Sequence, residues 1–125
     1  MRKAKFAVLS LAMAVSGVAV AATQDIVDNE ASEYVNRTGL SKQNIKDVLI
    51  NEEKFNARSV EIALEKAEKE WGGPTIWNDK AKVSAELALD EKKLSCEELM
   101  VKLLDWHKFT FAQASYAAKE VKACK

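Results

Sequence analysis

The chain has 125 residues, a formal net charge of zero, 48% hydrophobic residues and 30% charged residues. That composition fits one small globular domain and excludes a long disordered chain. Lys plus Arg equals Asp plus Glu at 19 each, which excludes a polybasic nucleic-acid binder, and 1 Pro with 4 Gly favours helices over a turn-rich β fold.

The first segment reads as a secretory signal. Arg2, Lys3 and Lys5 form a basic start, Phe6 to Val20 is an uncharged apolar run, and Ala19-Val20-Ala21 is an A-x-A site. The run is shorter than the roughly 20 residues that a membrane span needs. The expectation is a signal peptide over residues 1–21, cleavage after Ala21, and an all-helical domain over 22–125. Losing Arg2, Lys3 and Lys5 leaves acidic residues in excess, a net charge of about −3. No Cys flanks the cleavage site, so the mature chain is expected to be soluble, periplasmic or secreted, with no stable membrane insertion.

About six helices follow, all α, in two similar halves. A first helix is expected from Asp25 to about Arg37, with Ala31, Tyr34 and Val35 inward. Ser41 then caps a short helix, and Asn56 caps the next one. Gly72-Gly73-Pro74 breaks the chain between the halves. A helix from Asn78 to about Glu91 offers Ala81, Ala85, Leu87 and Ala88 for packing. Ser95 with Glu98 is a capping box, as is Thr110 with Gln113. Asp105 to Phe109 is the expected turn between them, and Phe55 and Phe109 precede the caps where an apolar residue can staple a turn.

Residues 40–70 align without a gap on residues 94–124, at an offset of 54. Leu40/Leu94, Ser41/Ser95, Leu49/Leu103, Lys54/Lys108, Phe55/Phe109 and Ala63/Ala117 are identical. The identities fall at caps and at core-spaced positions. Repeat one is set at about 25–71 and repeat two at about 77–125. Each is too small to be secure alone, so the halves are expected to share a core, with Trp71 and Trp77 packed near their junction.

Cys96 and Cys124 are the two cysteines, and no CxxC motif is present. In an exported chain they are expected to form a structural disulfide, closing a loop of about 28 residues at roughly 3 kcal/mol. An intermolecular bridge and free thiols are the alternatives. The alignment matches Cys96 with Lys42 and Cys124 with Glu70, so a Lys42–Glu70 ion pair is expected at the equivalent place in repeat one.

Leu94-Ser95, Leu99, Leu103, Phe109-Thr110, Gln113-Ala114 and Tyr116-Ala117 together resemble the helix-turn-helix repeat of the host cell surface-exposed lipoprotein (Ltp) family. Trp77-Asn78-Asp79-Lys80-Ala81 resembles the helix start that links repeats there. The resemblance covers about residues 77–118 well and the first copy loosely. It implies an all-helical, non-enzymatic fold. It also implies superinfection exclusion, in which the protein blocks the passage of DNA from an incoming phage by binding a tail component, the tape-measure protein. The chain departs from that pattern in lacking a lipid-attachment Cys and in adding Cys96 and Cys124.

Other chemistries find little support in the residues. DNA recognition needs phosphate-binding cations, and the expected helix at 110–123 carries only Lys119 and Lys122. His107, the single histidine, has no second His or Cys pair at metal spacing, so neither a metal site nor a cofactor is expected. The carboxylates alternate with lysines, as in Glu65-Lys66-Ala67-Glu68-Lys69, and read as solvated helix faces rather than a glycosidase pair. No G-x-S-x-G or phosphate loop occurs. Trp106 lies in the expected turn, where repeat one has Glu52; it is either core-packed or an exposed anchor. With His107 it is the candidate contact for a partner protein. The function expected is an exported protein-binding module that blocks a phage injection component. Alternatives are a periplasmic immunity protein against a cell-wall-degrading secreted effector and a periplasmic acid-stress chaperone, for which Ser95-Cys96-Glu97-Glu98-Leu99 is the faint cue. A homodimer is a further option.

Overall fold

A computed structural model describes residues 23–125; the expected signal segment, 1–21, lies outside the described residues. Among the described residues there are six α-helices and no strand. Helix α1 spans Gln24–Arg37, α2 Lys42–Asp47 and α3 Ala57–Glu70; α4 spans Ile76–Glu91, α5 Cys96–Val101 and α6 Phe111–Glu120. Both α2 and α5 wind on into a wider π-turn, Val48–Glu52 and Lys102–Trp106. Helix α4 begins at Ile76, two residues before the expected Asn78, and the connection expected over Asp105–Phe109 is helical through Trp106.

Local chemistry sets these ends. Ser41 accepts the Asn44 N–H at 3.1 Å, and Asn56 accepts those of Arg58 and Ser59 at 2.9 and 3.3 Å. Ser95/Glu98 and Thr110/Gln113 form complete capping boxes, each satisfying two N–H groups that the first helical turn leaves open. The π-turns close through a lysine of positive φ, 64° at Lys54 and 59° at Lys108. The next amide then donates far back along the helix, Phe55 to the Leu49 carbonyl and Phe109 to the Leu103 carbonyl, each at 3.0 Å. The identical Lys-Phe pairs in the two copies are therefore the two residues that turn the chain. Gly72 and Gly73, with φ of 129° and 90°, end α3 by letting the Gly73 N–H reach the Glu68 carbonyl at 2.7 Å.

The register of the two copies extends beyond the aligned segment. The offset that joins α2 to α5 also joins Arg37 to Glu91, the last residues of α1 and α4. Buried Val27 and Ala31 thus match buried Ala81 and Ala85. In this extension Ala31 and Ala85 are identical, while Val27 and Ala81 differ in size.

The core divides. One cluster holds Val27, Ala31, Val35, Ile45, Leu49, Val60, Ala63, Leu64, Ala67 and Trp77. The other holds Ala81, Ala85, Ala88, Leu99, Leu103, Phe109, Ala114, Ala117 and Ala118. The expected shared core is corrected to two clusters, with α4 contributing its first turn to one and the rest of its length to the other. Trp77 is buried at the junction as expected. Trp71 is 41% exposed and donates its indole N–H to Ser32 Oγ at 3.0 Å. Leu87 is also exposed, on the outer face of α4.

Polar contacts bridge the halves. Lys80 Nζ donates to the carbonyls of Val35 and Thr38, capping α1 with a cation where the helix dipole favours one. Lys108 Nζ lies 3.1 Å from Asp47 Oδ2, and Ser84 Oγ donates to the Gly39 carbonyl at 3.4 Å.

Cys96 and Cys124 are disulfide-bonded. The matched ion pair is Lys42–Glu68 at 3.0 Å, not the expected Lys42–Glu70; Glu70 accepts from Ser32 Oγ at 2.9 Å. The reason lies in the helix ends. Helix α3 stays helical through Glu70. Helix α6 stops at Glu120, short of the expected 123, and Lys122, at φ 64°, turns the chain so that the Cys124 N–H meets the Ala118 carbonyl at 3.1 Å. That turn brings Cys124 back to Cys96, while its counterpart Glu70 continues up the helix.

Candidate functional site

Trp106 ends the second π-turn and is 75% exposed. Of the two placements open to it, the structure gives the exposed one. Three residues earlier Leu103 is fully buried, so the backbone that carries the indole is anchored in the core. The turn is also fixed from repeat one: Asn44 Nδ2 donates to the Trp106 carbonyl at 3.5 Å, and the Lys108–Asp47 pair lies two residues on. An aromatic held out from a rigid turn loses little side-chain freedom on binding.

His107 adjoins Trp106 and is half-buried rather than solvent-facing. Its ring centroid lies 6.3 Å from that of Phe109. Burial first, and the Lys102 charge second, hold its pKa below the usual imidazole value, so the ring is neutral at pH 7. Glu98, Val101, Lys102, Trp106 and His107 line an open groove of about 480 Å³. A second groove, of about 510 Å³, runs along α4 and is lined by Val83, Glu86, Leu87, Leu89, Asp90 and Val121. Among the described residues no cluster of His, Cys, Asp and Glu could hold a metal ion, and no helix is long and apolar enough to cross a membrane.

Repeat one supplies an internal reference for this surface. Exposed Trp106 matches exposed Glu52, and exposed Val101 matches Asp47. Phe111, 70% exposed, matches Ala57. On α4, exposed Val83 and Leu87 match Asn29 and Glu33 on α1. Core positions of the two copies stay apolar while these outer positions change from polar or small in copy one to large and apolar in copy two. Sequence reasoning singled out Trp106 and His107, of which the structure exposes Trp106, and did not single out the exposed Val83, Val101 and Phe111, while Leu87 was expected to pack. The signal lay in the mismatches of the alignment at outward-facing positions, whereas the identities report the core and the caps.

No protein-family profile matches the chain, and no curated protein matches it in sequence. Among solved structures the chain is similar to Ltp, a superinfection exclusion protein from the Streptococcus thermophilus temperate phage TP-J34. The TM-score is 0.65 at 22% identity, covering 79% of this chain and 95% of that one. The chain therefore has the Ltp fold, which bears out at the level of architecture the resemblance read from residues 77–118.

Proposed function

We propose that the chain is an exported superinfection-exclusion protein that acts by docking repeat two onto a component of an incoming phage's injection apparatus. The observation that carries this reading is a difference between the copies: at Val83, Leu87, Val101, Trp106 and Phe111 repeat two exposes a large apolar side chain where the matched residue of repeat one is polar or small. The fold of a named superinfection exclusion protein supports it, and the Cys96–Cys124 disulfide fits an oxidising compartment outside the cytoplasm. The work is binding rather than catalysis. Trp106 is the anchor, Val101 and Lys102 form the flank of its groove, and His107 sits neutral at its base, where it adds no charge to be desolvated.

The test is a phage challenge. Cells producing the protein are expected to adsorb phage normally and to take up its DNA poorly. Trp106→Ala is expected to remove that protection while the protein accumulates at the wild-type level. Binding to the phage component should weaken by about 2 kcal/mol or more, roughly 30-fold, as for an interface anchor. Normal DNA uptake in producing cells would overturn the reading. Protection against a cell-wall-degrading effector instead would replace it with immunity.

A further inference from the structure

The two repeats share one backbone and differ in what holds it together. The core of repeat one holds the large side chains Val27, Val60 and Leu64, with Trp77 of α4 packed against them. Repeat two has Ala81, Ala114 and Ala118 at the positions of Val27, Val60 and Leu64. Helix α3 has 14 residues, whereas α6 has 10. Repeat two thus buries fewer methylenes over a shorter hairpin, which places it among the small units that need a covalent staple.

The staple is where that deficit lies. Cys96 is the first residue of α5 and Cys124 follows the turn that ends α6, so the bond encloses the whole α5–α6 hairpin across a separation of 28 residues. Repeat one closes the same end with the Lys42–Glu68 ion pair, which repeat two lacks. Across the junction the hairpin is braced by the Lys108–Asp47 pair and by Asn44 with the Trp106 carbonyl.

We propose that the disulfide makes folding of repeat two conditional on an oxidising compartment, while repeat one folds without it. The groove at Trp106 then assembles only where the bond can form. Reduction by a dithiol proceeds by exchange. A reductant thiolate attacks one cysteine sulfur, the other leaves as a thiolate and takes a proton, and the second reductant thiol displaces the mixed disulfide. The products are the Cys96 and Cys124 thiols and the oxidised reductant, with two electrons transferred. This inference is independent of what the groove binds.

Native-state amide exchange on the full exported domain tests it, comparing oxidised protein, protein reduced with dithiothreitol, and the Cys96→Ser/Cys124→Ser double variant. Peptides from residues 96–120 are expected to lose protection by about two orders of magnitude, the scale set by opening a loop of this length. Peptides from 24–70 are expected to keep theirs within about threefold, and α4 to fray from its Glu91 end. Equal loss in both repeats, greater loss in the first, or unchanged exchange in the second would overturn the proposal. The reduced wild-type sample separates the effect of the bond from that of the serines.

Discussion

The indole N–H of Trp77 donates to Glu68 Oε1 at 2.7 Å, joining the first turn of repeat two's leading helix to the last helix of repeat one. The same oxygen accepts from Lys42 Nζ at 3.0 Å. Glu68→Ala leaves a buried indole N–H unpaired and strands Lys42, and is expected to cost about 2 kcal/mol. Trp77→Phe keeps most of the ring and should cost less. Urea unfolding curves of the two variants measure both.

The Glu68 carboxyl also contributes to the acid response, alongside Asp28, Asp47 and Glu98, which are likewise held below the usual carboxylate range. Partial burial alone would push its pKa up, but the hydrogen bonds from Trp77 and Lys42, with the Lys42 charge, outweigh that and hold it below the usual carboxylate value. A folded pKa below the unfolded one contributes stability that is present above the unfolded pKa and lost as pH falls through the folded one. The urea midpoint is therefore expected to fall as pH drops from about 5 toward 3, and Glu68→Gln should flatten that limb. His107, also held low, acts with the same sign in a higher window: some stability is lost as pH falls below the usual imidazole range. His107→Gln should remove that earlier step.

Lys54 and Lys108 occupy the left-handed region, where a Cβ is unfavourable and glycine is at ease. Lys54→Gly is expected to raise stability by about 0.5–1 kcal/mol after allowance for glycine's greater freedom when unfolded. Lys108→Gly should gain less, because it also removes the Asp47 pair that crosses between repeats. Thermal unfolding of the two variants side by side reads the difference.

Ala118 is fully buried against α4, and its counterpart in repeat one is Leu64. Ala118→Leu forces extra methylenes into a close helix contact and should cost about 1–3 kcal/mol. Leu64→Ala opens a cavity in the first core and should cost about 2–5 kcal/mol. By contrast, Trp106→Glu, which installs the residue of repeat one, is expected to change stability by less than about 0.5 kcal/mol. Calorimetry of the three variants tests all of these, and it separates the exposed Trp106 from the packed positions.

Much of this architecture was legible in the residues because its causes are local. Ser95 with Glu98 and Thr110 with Gln113 start helices through side-chain hydrogen bonds that need only three residues of sequence. The apolar spacing of Leu99 and Leu103 names its own inner face. The partner of Lys42 was misread because a rigid offset holds only while both helices run straight, and α6 ends four residues sooner than its alignment with α3 implies. Trp71 was misread because an indole with a hydroxyl partner, here Ser32, can stay half in water. The shared core was misread because alanine and valine at matched sites look alike as apolar residues yet fill different volumes. At the candidate site Trp106 was visible as an unusual residue in a turn, but its exposure depends on the π-turn, which no sequence signal announced. The exposed Val83, Leu87, Val101 and Phe111 look like ordinary helix residues until they are set beside their matched positions in the other copy.

The spacing of 54 shared by the caps Ser41 and Ser95, by Asn56 and Thr110, and by the two wide turns has a consequence for how the chain can change over generations. A unit that recurs on a fixed period brings its own termini into register, so one copy can drift on its outside while its twin keeps the scaffold upright. Such a chain holds a paralogue within a single gene, free to vary one surface while the other copy keeps the fold.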